Sequence, residues 1–95
     1  MAALRALFVE RCGTDLAALR GLRERGDVAG VGVIVHRLAG AAGSFGFPEI
    51  SAAALAVDEP VRQGGEVPEA DIERLLGLLA ELDGPDGPGT PPLRD

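Results

Sequence analysis

Apolar residues recur at helical spacing through most of the chain. Leu4, Phe8, Cys12, Leu16, Leu19 and Leu22, with Leu7 beside them, mark a long amphipathic helix over residues 2–25. Gly13-Thr14-Asp15 interrupts it, and Thr14 suits a cap, so the stretch reads as one bent helix or as two short ones. Gly26-Asp27 ends it, and Asp27 is a good N-cap for a second helix over roughly residues 28–44. On that helix Val31, Ile34, Val35, Ala41, Ala42 and Phe45 fall within about 60° of Leu38 at 100° per residue. Pro48 and Glu49 open a third helix that carries Ile50, Ala53, Ala54 and Val57. Pro60 removes a helical bond and crowds the preceding turn, so regular helix is expected to stop near Glu59, with Val61–Gly65 as a loop or loose turn. Val67-Pro68 begins a fourth helix with the stripe Ile72, Leu75, Leu76, Leu79 and Leu82, and Gly84 closes it. No strand pattern or internal repeat appears. The expected fold is all-α, an antiparallel up-down-up-down four-helix bundle over residues 1–83, with the Pro/Gly-rich residues 84–95 as a disordered tail.

The second helix has an unusual outer face. His36, the only histidine, lies about 160° from Leu38, among Ala29, Gly32, Val33, Gly40 and Gly43. Long polar side chains normally occupy such a face. Each helix-interior glycine costs about 0.8–1 kcal/mol relative to alanine, so Gly32, Gly40 and Gly43 forfeit roughly 2.5–3 kcal/mol. Domain stability is only about 5–15 kcal/mol, which makes that loss substantial. A glycine in a helix usually admits a second helix of the same chain, but these three point away from the apolar stripe. The pattern therefore predicts that something outside the chain approaches His36 closely.

Composition narrows the classes. Ninety-five residues suit one small domain. The net charge is −6, and all nine basic residues are arginine. Residues 48–95 hold three arginines against eleven acids, so nucleic-acid binding is disfavoured, and Trp and Tyr are absent as stacking platforms. One cysteine allows no internal disulfide and fits a reducing compartment, with Cys12 read as a small, half-buried hydrophobe. One histidine and one cysteine cannot build a zinc site. No apolar run approaches the roughly 20 residues that span a bilayer, and no signal peptide is visible. A cytoplasmic, soluble domain is expected, and Met1 together with the tail points to a free-standing protein.

His36-Arg37-Leu38-Ala39-Gly40, with Gly46 ten residues after the histidine, resembles the signature of histidine-containing phosphotransfer (HPt) domains. That family carries H-x-L-K-G and a second glycine in the same register. The continuation Ala41 to Pro48 and the order and length of the helices are similar over about residues 3–83. The resemblance implies a phosphorelay carrier that accepts a phosphoryl group on His36 and passes it to a receiver aspartate. The donor would be a receiver aspartyl phosphate or a hybrid sensor histidine kinase. It implies no cofactor of its own, since the Mg²⁺ that assists the chemistry belongs to the receiver. The glycine clearing has a reason in this reading. Phosphoryl transfer depends on in-line positioning and charge neutralisation, so Gly32, Val33, Ala39, Gly40 and Gly43 would let a receiver settle on the helix. A neutral imidazole supplies the nucleophile.

Two further positions follow from the resemblance. Relatives place a Glu or Gln about 22 residues after the histidine, where it bonds to imidazole Nδ1; Asp58 occupies that place. A carboxylate there would keep the proton on Nδ1 and leave Nε2 free to attack. The plain alternative is a solvated acid near a helix end. Many relatives carry Lys three residues after the histidine, where this chain has Ala39. Arg37 is then the nearest cation for phosphate, or else a residue snorkelling at the edge of the stripe. Ser44 has no second histidine to act as its base, and Phe45 and Phe47 read as packing. There is no nucleotide loop or carboxylate pair for a kinase or hydrolase. The other reading is a non-phosphorylated adaptor that docks receivers or kinases, supported by the absent lysine. A monomer is expected.

Overall fold

The computed structural model describes residues 2–82, and the side chains of residues 4–82. The expected tail lies outside the described residues. Four helices follow in order: α1 (Ala2–Arg25), α2 (Val28–Ser44), α3 (Pro48–Arg62) and α4 (Glu69–Leu82). Among the described residues there is no strand.

α1 is one continuous helix through Gly13-Thr14-Asp15. Thr14 caps no new segment; it lies inside the helix, and Asp15 beside it turns a buried side chain to Arg37 and Arg11. α2 begins as its sequence requires, with Asp27 accepting a hydrogen bond from the backbone N–H of Gly30 at 2.9 Å. At the other end Gly46, at φ +84°, makes the left-handed turn into α3.

Pro60 does not end α3. The helix runs to Arg62, with Pro60 inside its last turn. At that position the missing proline N–H costs only one bond near a helix end. The carbonyls of Glu59 and Pro60 are then used in closing the helix, accepting from the N–H groups of Gln63 at 3.2 Å and Gly65 at 2.9 Å. Val61 is half-buried against Gly32 of α2, which holds the extra turn down.

The core is built from the predicted stripes. Phe8, Cys12, Leu16 and Leu19 meet Val31, Val35, Leu38 and Ala42, with Ile50, Ala53, Ala54 and Val57 from α3 and Ile72, Leu75, Leu76 and Leu79 from α4. Each helix packs on its neighbours in sequence, and α4 also packs on α1. Phe8 stacks between Phe45 and Phe47, with ring centroids 5.3 and 5.1 Å away, and seals the end of the core where α2 turns into α3. Arg23 of α1 is bound by Glu69 and Glu73 of α4 at the far end.

Candidate functional site

His36 stands on the solvent side of α2 with a side chain 67% exposed. Its Nδ1 lies 3.3 Å from Oδ2 of Asp58 on α3. Asp58 is fully buried, so the solvated-acid alternative does not hold. The carboxylate sits one turn after Ala54 and beside Val57, both in the core. It is thus anchored by the apolar side of α3 while it reaches α2. Its second oxygen, Oδ1, is buried with no hydrogen-bond partner among the described residues. Burying a carboxylate is expensive unless it is paired, and here the available partners are the imidazole and Arg62, whose Nη1 is 3.6 Å from Oδ2. With its proton on Nδ1, the imidazole donates to Oδ2 and turns an unprotonated Nε2 away from α3.

The small residues around His36 divide into two groups. Ala39, Gly32 and Gly43 lie on one flank of α2, at roughly 100–140° from Leu38, and that flank faces α3. A Cβ on Gly32 would approach Val61 Cγ1 to 2.9 Å, and one on Gly43 would stand 3.5 Å from Ser51 Oγ. Ser51 Oγ donates to the Ala39 carbonyl at 2.8 Å. Ala39 is itself buried, which removes it from the expected docking face. Gly32 is corrected too: it is half-buried, and its glycine is required by α3 of the same chain. The small flank brings α3 close enough for Asp58 to reach His36.

Val33, Gly40 and Gly43 are exposed as expected. Val33 is 69% exposed, a large apolar side chain one turn before the histidine. A Cβ on Gly40 would meet nothing within 4 Å, so no contact within the described residues accounts for this glycine. Gly40→Ala is accordingly expected to raise stability by about 0.8–1 kcal/mol in a denaturant titration. It should also slow phosphoryl exchange with receivers, because the methyl group stands on the open face. A variant that gains stability and keeps its exchange rate would show that the clearing has no docking role.

Arg37 points the other way around α2. Its guanidinium meets Asp15 of α1, with Nη2 at 3.1 Å from Oδ1 and Nη1 at 3.4 Å from Oδ2. Asp15 is buried, and Arg11 lies 4.0 Å from it. Arg37 is therefore the counter-ion of a buried carboxylate, which corrects its expected place beside phosphate on His36. Arg37→Ala is expected to destabilise the fold by about 1–3 kcal/mol in thermal or denaturant unfolding, through the buried charge it leaves behind. Phosphoryl transfer measured below the unfolding transition should stay within two-fold of wild type. Cys12, next to this pair, is fully rather than half buried. Burial, then Asp15, push its thiol up to about 12 against the opposing effect of Arg37, so it is not a reactive thiolate.

Arg62 was not legible as a site residue, because Pro60 predicted a helix end before it. The signal was nonetheless present: Asp58 and Arg62 are four residues apart, the spacing of neighbours on one helix face. Among the described residues no cluster of three or more His, Cys, Asp or Glu side chains is arranged to hold a metal ion. No described helix is long and apolar enough to cross a membrane.

Comparison with known proteins gives one finding. The sequence model of the Hpt domain family matches residues 3–84, nearly the whole length of the four helices and beyond. Neither the curated proteins nor the solved structures yielded a match to this chain.

Proposed function

Since the chain belongs to the Hpt domain family, whose members pass phosphoryl groups in phosphorelays, we propose that His36 is its phosphorylated residue. The observation that carries this reading is the exposed imidazole of His36 whose Nδ1 is held by the fully buried Asp58. A receiver aspartyl phosphate approaches over Val33, Gly40 and Gly43 and presents its phosphorus in line with Nε2. The O–P bond breaks as the N–P bond forms, the aspartate leaves with the electron pair, and Nδ1 keeps its proton against Asp58. Catalysis on the domain's side is positioning and charge complementarity. The domain supplies no cofactor; Mg²⁺ is held by the receiver. The partners are receiver domains and a hybrid sensor histidine kinase, and the domain works as a cytoplasmic monomer.

Contacts between helices support the up-down-up-down arrangement. Phe8 with Phe45, Asp15 with Arg37, and Leu22 with Gly30 descend along α2 as they ascend along α1. Ser51 with Ala39, Asp58 with His36, and Val61 with Gly32 do the same between α3 and α2.

The test is transfer from radiolabelled receiver aspartyl phosphates, tried over a panel of receivers. Acid-labile label on the domain supports the carrier reading. Receivers that bind without ever labelling it would replace that reading by the adaptor one, for which Ala39 in the usual lysine position is the supporting observation.

A further inference from the structure

A phosphoryl group on His36 brings up to two negative charges to this exposed face, where a nearby cation of the chain would stabilise them. Ala39 carries no charge, and Arg37 is committed to buried Asp15. Releasing Arg37 would leave buried Asp15, among the described residues, with only the long 4.0 Å contact to Arg11. Arg62 is placed differently. Its guanidinium stands 3.6 Å from Asp58 Oδ2, the same oxygen that lies 3.3 Å from His36 Nδ1. Imidazole and guanidinium are thus neighbours across a single oxygen atom. The Arg62 contact is an ion pair too long for a good hydrogen bond, and its side chain is 64% exposed. Re-aiming it breaks no strong bond.

We propose that Arg62 is the cation that supports phosphorylated His36, exchanging its contact with Asp58 for one with the phosphoryl oxygens. This rests on the phosphocarrier reading and adds a residue to it. In the resting state Arg62 shares the charge of Asp58 with the imidazole. When the Nε2–P bond forms, the guanidinium turns outward to the phosphoryl oxygens, for which its planar fork is well shaped. Asp58 is then left wholly to Nδ1–H, a stronger hydrogen-bond donor once the ring is phosphorylated. One movement of an exposed side chain therefore strengthens two interactions of the phosphorylated form. It also explains how a chain with alanine in the lysine position keeps a cation at the site. The support comes across from α3, on the extra turn beyond Pro60.

The experiment compares wild type, Arg62→Gln and Arg62→Lys in the equilibrium of phosphoryl exchange with a labelled receiver. The equilibrium constant between free species is independent of docking, so it separates support of the phosphoryl group from recognition of the partner. Arg62→Gln is expected to shift the constant toward the receiver by about five- to ten-fold. Arg62→Lys is expected to stay within about two-fold of wild type, and the Gln effect should shrink in high salt. Circular dichroism checks that both variants keep their helices, as the exposure of residue 62 leads one to expect. An unchanged constant for Arg62→Gln, or a lysine variant as impaired as the glutamine one, overturns the assignment of Arg62 while leaving the carrier intact. If the wild type takes no label from any receiver, the carrier reading itself falls, and this assignment with it.

Discussion

His36→Gln is expected to take no acid-labile phosphate from any receiver while folding as the wild type does. The side chain is two-thirds exposed, so its replacement opens no cavity and leaves the core of Val31, Val35 and Leu38 untouched. Surface substitutions of this kind usually change stability by no more than about 0.5 kcal/mol. The chemical loss should be complete, because the primary amide of glutamine is not a nucleophile toward phosphorus and His36 is the only histidine. Receiver binding, followed by titration calorimetry, is expected to persist, since the exposed Val33, Gly40 and Gly43 are unchanged. Acid-labile label that survives the substitution would mean that another residue carries the phosphoryl group. Acid-stable label would direct attention to a hydroxyl such as that of Ser44.

The second large effect is expected at Asp58. Without its carboxylate the imidazole loses the partner 3.3 Å from Nδ1, which in the proposed mechanism orients the ring and keeps the proton there. Asp58→Ala is expected to slow phosphoryl transfer by about 10- to 100-fold, approaching what positioned acid–base groups contribute. Asp58→Asn should fall between the two, because an amide oxygen still accepts from Nδ1–H but carries no charge. Stability responds differently. Oδ1 is buried with no partner among the described residues, so removing the carboxylate also removes an unfavourable burial. That gain opposes the packing lost at a fully buried position, and the net change should be only about 1–2 kcal/mol. The discriminating measurement is single-turnover transfer beside a denaturant titration on the same variants. A rate unchanged in Asp58→Ala removes this residue from the mechanism. A rate loss that merely tracks unfolding would make it a packing residue.

Much of the site was legible because helical periodicity is strong in this chain. The outward direction of His36 followed from its angle to the stripe at Leu38, and the open face of Gly40 from the same wheel. A wheel gives angles, however, and does not say which flank a neighbouring helix will cover. Arg37 and Ala39 lie on opposite flanks at nearly equal angles from Leu38. α1 covers one and α3 the other, so the first became a counter-ion for Asp15 and the second part of the core. Gly32 was misread for the same reason: its missing Cβ admits Val61 of the chain itself.

Local chemistry also set a limit at Pro60. A proline penalty is a local quantity, whereas the packing of Val61 against α2 is tertiary, and here the tertiary contact carries the helix one turn further to Arg62. The sequence by itself determined the four helices, the apolar stripes that form the core, and the histidine turned away from it, because each depends on spacing within one segment. Only the tertiary structure decided that Asp58 is buried and reaches His36, that Arg37 is withdrawn, and that Arg62 is close. Those outcomes depend on how near α1 and α3 come to α2. That distance is set by the size of side chains on two helices at once, which no single segment encodes.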